Sequence, residues 1–227
     1  MGKIGFGYGS EWQLTRFLGR HPAYFSALIS EATDVQGLDW LDFDFKASDW
    51  LGDGEPLGLS FVEDSEIQDA FRAWWPHGSG IMNWDAVGRG RDTSGVDCWV
   101  LVEAKGNFSE LGSDCGAGPK SLARISDALD ETKTAFGASP TANWTNGYYQ
   151  HANRLAVLYF LTKHDVDAQL VNVYFYGSTK SDSLSPQTAS EWQPAITAMK
   201  THLGLDQHDY EHRAHDVFID MAGPNGE

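Results

Sequence analysis

Residues 97–105 read Asp-Cys-Trp-Val-Leu-Val-Glu-Ala-Lys, and this run constrains the fold more than any other stretch. Its apolar stretch is continuous rather than alternating, so it reads as a strand buried on both faces, central in a sheet. Side chains alternate along a strand, so Glu103 and Lys105 share one face and Ala104 takes the other. A charged pair closing an apolar strand is costly to bury. It either projects past the sheet into water or serves a site.

The neighbouring sequence favours a site. Residues 81–87, Ile-Met-Asn-Trp-Asp-Ala-Val, read as a second strand with Asp85 closing its apolar run. Residues 88–95 are rich in Gly and Arg and read as the connection, a short one, as in an antiparallel hairpin. Asp85 and Glu103 are then expected to converge. Paired carboxylates suit a hard divalent cation, which prefers oxygen donors. Such an ion lowers the pKa of a water and stabilises charge on a phosphoryl group. Lys105 beside it would steady a charged transition state rather than act as base, because adjacent carboxylates favour its protonated form.

Asp85 followed by Glu103-Ala104-Lys105 at the end of a Trp-Val-Leu-Val strand resembles the PD-(D/E)XK, or restriction-endonuclease-like, nuclease superfamily. The Pro of the motif is absent, Asn83-Trp84 standing before Asp85. The resemblance implies an α/β fold with a restriction-endonuclease-like core, a central mixed sheet flanked by helices. It also implies a nuclease hydrolysing phosphodiester bonds, in DNA first of all, with Mg²⁺ or Mn²⁺ held by Asp85 and Glu103. Glu11, at the head of the first helix, matches the place of a further metal-site carboxylate. Gln150 matches a helix residue that approaches the site, and Arg154, four residues on along the same face, one that contacts substrate. Arg89 and Arg91, read in the connection between the catalytic strands, are candidates for phosphate contact.

The remaining elements fit that order. Residues 10–33 read as a helix restarted at Pro22, and 64–75 as another. Residues 37–62 read as a strand or a set of turns. Residues 120–136 and 147–164 read as helices, 168–176 as a strand, 192–203 as a helix and 215–221 as an edge strand. No linker divides the chain, which is expected to form one domain with its core in 9–177 and a C-terminal extension in 178–227.

Each sharp reading has a plainer rival. Glu-x-Lys is a common tripeptide, equally a solvent-facing charged pair. Glu11 suits a helix's first turn on dipole grounds alone, and Gln150 and Arg154 suit the polar stripe of an amphipathic helix. His208, His212 and His215 have spacing that a zinc site could use, but their charged neighbours favour a solvated tail. The 112–121 stretch is no phosphate loop, because Pro119 precedes Lys120. The tryptophans read as core.

The formal net charge of −16 argues against unaided binding to a phosphate backbone. Twelve of the acidic residues fall in 31–69, against Lys46 alone. That segment is a candidate protein-binding surface. The rival function is therefore a catalytically silent interaction module, or a subunit of a nucleic-acid-processing complex. With no signal segment or membrane-length apolar run, the expected compartment is cytoplasmic, with Cys98 and Cys115 reduced and no membrane partner.

Overall fold

Strand β3 (Asp97–Lys105) lies at the centre of a five-stranded sheet of order β1-β2-β3-β4-β5, as its unbroken apolar run requires. The computed structural model describes residues 9–41, 55–77, 81–178, 184–205 and 211–223. β1 (Gln36–Trp40), β2 (Ala86–Arg91) and β3 are antiparallel neighbours, while β4 (Ala168–Tyr176) and β5 (Ala214–Asp220) run parallel to β3. The sheet is mixed, with helices on both faces.

One face carries α1 (Ser10–Arg20) and α2 (Pro22–Thr33). Leu14, Phe17 and Leu18 of α1 and Phe25 and Ile29 of α2 are all buried, at helical spacing. They pack on Val100, Val102, Ala104, Val171, Val173 and Phe175 of the sheet. Pro22 opens α2, where its missing N–H costs nothing, and the restart expected there divides 10–33 into two helices. The other face carries α3 (Ser65–Trp74), α4 (Pro119–Phe136), α5 (Tyr149–Lys163) and α6 (Gln193–Leu203) over Leu101, Leu170 and Tyr174. The Asp64 carboxylate caps α3 by accepting from the Glu66 and Ile67 N–H groups. From Ala152 to Leu161 every residue of α5 but Tyr159 is buried. α5 is thus a core helix rather than a surface one.

Two boundaries differ from the sequence reading. β2 covers Ala86–Arg91 rather than 81–87, so the first half of the Gly- and Arg-rich stretch is strand and only residues 92–96 are connection. Gly88 and Gly90 lie against β1, the neighbouring strand. A Cβ on Gly88 would stand 3.1 Å from the Trp40 ring, and one on Gly90 2.6 Å from the Gln36 carbonyl oxygen. Those glycines are strand residues because a neighbouring strand crowds them. The segment after 177 carries the helix and the edge strand expected there, α6 and β5, but both join the core rather than extend it: β5 pairs with β4, and Trp192, Ile196, Met199 and Leu203 are buried.

Trp75, Trp84, Trp144 and Trp192 are fully buried, in keeping with the core reading of the tryptophans. Both cysteines are free, Cys98 buried and Cys115 half-buried. Among the described residues no helix is long and apolar enough to cross a membrane. Of the acid-rich 31–69 segment, residues 42–54 lie outside the described residues.

Candidate active site

The β2–β3 register pairs Ala86 with Val102, so Asp85, one residue before β2, falls opposite Glu103. Asp85 does not end a strand, as the sequence reading had it. It heads one. In an antiparallel hairpin only the head of the first strand meets the end of the second, so this shift brings the two carboxylates together. One Asp85 oxygen, Oδ2, accepts the Ala104 N–H at 2.6 Å. Burial, then the nearby Glu103 charge, push Asp85 up to about 7 against the pull of that hydrogen bond and of Lys105 and Arg154.

Glu103 is 2% exposed, and both of its oxygens are engaged. Oε1 accepts from the Lys105 ammonium, and Oε2 from Arg154 Nε at 2.7 Å. Burial raises the Glu103 pKa, but Arg154 and Lys105 outweigh it and hold the carboxyl below its ordinary range. Lys105, also buried, donates a second bond to Gln150 Oε1 at 2.8 Å. Arg154 is anchored on every side. Nη1 donates to Asn153 Oδ1 at 2.7 Å and Nη2 to the Asn83 carbonyl at 2.6 Å, and the guanidinium lies 4.8 Å from the Trp84 ring centre. Gln150 and Arg154 thus reach the site from one face of α5, as their spacing predicts. Arg154, however, is a buried partner of Glu103 and not an exposed contact for substrate.

Glu11 sits exposed in the first turn of α1. The helix start is held at the site by Gly106, the residue after Lys105. A Cβ there would stand 2.7 Å from both the Gly9 carbonyl carbon and the Ser10 nitrogen, so only glycine admits this approach. The Glu110 carboxylate closes the same turn, accepting from Gly106 N and Asn107 Nδ2 at 2.7 and 2.6 Å.

Arg89 and Arg91 lie on the face of the sheet that carries Glu103, but at its other end. They pair with Trp99 and Asp97 across the ladder, and Trp99 is about 13 Å from Glu103 along the strand. Both are tied to Asp97, at 2.8 and 3.3 Å, and Arg89 lies over the Trp99 ring. The structure does not bring them to the site.

Two features were not found from sequence. The first is Glu55. An antiparallel bridge joins Leu57 to Asn83, and Trp84 N donates to the Pro56 carbonyl at 2.9 Å, so the same pairing sets Glu55 opposite Asp85. Partial burial, then Glu11 and Glu103, raise its pKa. In sequence it was one acid among twelve, with no local signal. The second is a polar row across the sheet, Glu103–Asn172–Asp216, in Cα register on β3, β4 and β5. Asn172 Nδ2 and Lys200 Nζ donate to the two Asp216 oxygens at 3.1 and 2.9 Å. His151 of α5 faces this row, and burial pushes it down to about 4 despite Asp216. A polar residue inside an apolar strand, Asn172 in β4, was the available signal.

The donor chemistry at Asp85 and Glu103 fits a hard divalent ion, which takes one or two carboxylates and keeps several waters. Among the described residues no group of three or more His, Cys, Asp or Glu is arranged to hold a metal. The three histidines set aside in the sequence as a solvated tail do not line one helical face. His215 lies on β5 bonded to Gln169 Oε1 at 2.9 Å, His212 lies in a one-turn helix, and His208 lies outside the described residues. Comparisons with protein-family models, with curated proteins and with solved structures found no match to this chain.

Proposed function

We propose that the chain is a divalent-metal-dependent nuclease that hydrolyses phosphodiester bonds in DNA, with its centre at Asp85, Glu103 and Lys105. One observation carries this reading. Two carboxylates from adjacent strands and an ammonium converge at one end of the β2–β3 hairpin, with a helix amide, Gln150, aimed at the ammonium.

Asp85 and Glu103 are the residues that would hold Mg²⁺ or Mn²⁺, with Glu11 at the rim. The ion would supply a more acidic water and stabilisation of phosphoryl charge. The chain's own groups do the rest. The Ala104 N–H fixes the Asp85 carboxylate by one oxygen. Lys105, which bonds both Glu103 and Gln150, would supply positive charge to the phosphate. Arg154 neutralises and orients Glu103 from behind. The acidic balance implies weak binding to DNA by this chain alone, lost quickly with salt.

The test is purified protein with plasmid and single-stranded DNA, with and without Mg²⁺ or Mn²⁺. Cleavage by the wild type and none by Glu103→Ala or Lys105→Ala is the expected result. Equal activity in all three sinks the reading.

A second reading has its own support. Glu103 is already saturated by two cations, as in a purely structural ion cluster, and the net charge is −16. On that reading the chain is a silent interaction module that binds a basic protein partner through residues 31–69. Absence of any thermal shift with Mn²⁺, together with capture of a basic partner lost when 31–69 is neutralised, favours it.

A further inference from the structure

Resting on the metal-dependent reading above, the geometry assigns unequal roles to the two cations on Glu103. We propose that Arg154 is its permanent partner and that Lys105 is exchangeable, giving up Oε1 to a divalent cation while keeping Gln150.

The argument starts from charge. Glu103 is buried and faces two positive groups, so a divalent cation approaching it meets repulsion from both. One cation must yield before the carboxylate can serve as a ligand. Arg154 is the harder to move. Its guanidinium is planar, 2% exposed and held at four points: Glu103, Asn153, the Asn83 carbonyl and the Trp84 ring. Withdrawing it would take its bond from the Asn83 carbonyl and leave a buried charge without its carboxylate.

Lys105 differs on each count. Its ammonium has three rotatable donors on a flexible stem, and it is 8% exposed. It already has another acceptor, Gln150 Oε1, at 2.8 Å. Gln150 offers that acceptor from a fixed point of the main chain, its backbone N–H donating to Ser113 Oγ at 2.8 Å at the start of α5. Lys105 therefore leaves Glu103 without becoming an unpaired buried charge. Arg154 meanwhile keeps Oε2, so Glu103 offers one oxygen in a fixed orientation. Lys105 is thus an internal competitor that sets the affinity of the site, in addition to its electrostatic role toward phosphate.

The experiment uses the full chain and Mn²⁺ in calorimetric titration of wild type, Lys105→Met and Gln150→Leu. Removing the competing charge makes Lys105→Met bind roughly tenfold tighter than wild type. Gln150→Leu binds more weakly, because the displaced ammonium loses its acceptor. A nitrogen–proton correlation spectrum of the wild type follows the Arg154 Nε–H, whose resonance shifts but stays protected from solvent exchange when Mg²⁺ saturates the protein. Lys105→Met binding no tighter than wild type, or loss of the Arg154 signal on Mg²⁺ addition, overturns the proposal. The spectrum keeps it testable if Lys105→Met does not fold. A wild type that takes up no Mn²⁺ fails the metal-dependent reading itself. A wild type that binds, with Lys105→Met unchanged, fails the exchange alone.

Discussion

Arg154→Met removes the most deeply buried cation of the site and provides a stringent measure of what holds it together. The guanidinium is 2% exposed and makes three hydrogen bonds, one of them to a carboxylate that is itself 2% exposed. Methionine fills much of the volume but leaves Glu103 with Lys105 alone, and the Asn83 carbonyl without that donor. Breaking a buried pair by removing one partner costs about 3–5 kcal/mol. In a chain of this size that lowers Tm by roughly 6–20 °C. The assay is urea and thermal denaturation at pH 7 in EDTA, for wild type, Arg154→Met, Glu103→Gln and the double variant. Neutralising Glu103 removes the stranded charge, so the double variant should be more stable than Arg154→Met alone. The pH dependence has a definite sign. Arg154 and Lys105 depress the Glu103 pKa, so the stability from this carboxylate is present above its unfolded value and lost as pH falls through the lower folded one. The deficit of Arg154→Met should therefore shrink on acidification, as Glu103 becomes neutral in the variant first. A loss below about 1 kcal/mol, the scale of an exposed ion pair, or no rescue in the double variant, would refute the reasoning.

Asp85 carries the opposite sign. Its folded pKa is raised to about 7, so its contribution is fully present below the unfolded value and lost as pH rises through about 7. In EDTA, Asp85→Asn should match or exceed wild-type stability at pH 8 and lose that advantage near pH 4, read as Tm at both; a pH-independent difference contradicts this. Gly106→Ala drives a Cβ against the Gly9–Ser10 backbone and should cost about 1–3 kcal/mol while displacing Glu11, read by thermal melting. Arg89→Ala should change stability by no more than about 1 kcal/mol, since its partner Asp97 is exposed, and on the nuclease proposal it should leave cleavage at the distant centre intact. Leu158→Ala, in the fully buried part of α5, should cost about 2–5 kcal/mol in urea denaturation.

The elements legible in the sequence are those whose own composition leaves no alternative. β3 is apolar on both faces, which marks it as a central strand, and β4 falls at the expected residues 168–176. The shared face of Glu103 and Lys105 follows from strand alternation, and the reach of Gln150 and Arg154 from helical spacing. These are short-range regularities of the backbone, written in consecutive residues.

What only the tertiary structure decided depends on groups far apart in the chain. Gly88-Arg89-Gly90-Arg91 has the composition of a loop, and it became strand because β1 packs against its glycines. That one change moved Asp85 to the head of β2 and carried Arg89 and Arg91 to the far end of the sheet. The pairing of Arg154 with Glu103 spans 51 residues, and the placement of Glu55 opposite Asp85 depends on a single bridge between Leu57 and Asn83. The protonation of the site follows from the same contacts. Whether a carboxylate is charged depends on burial and on which cation lies beside it, and both are set by packing rather than by sequence neighbours.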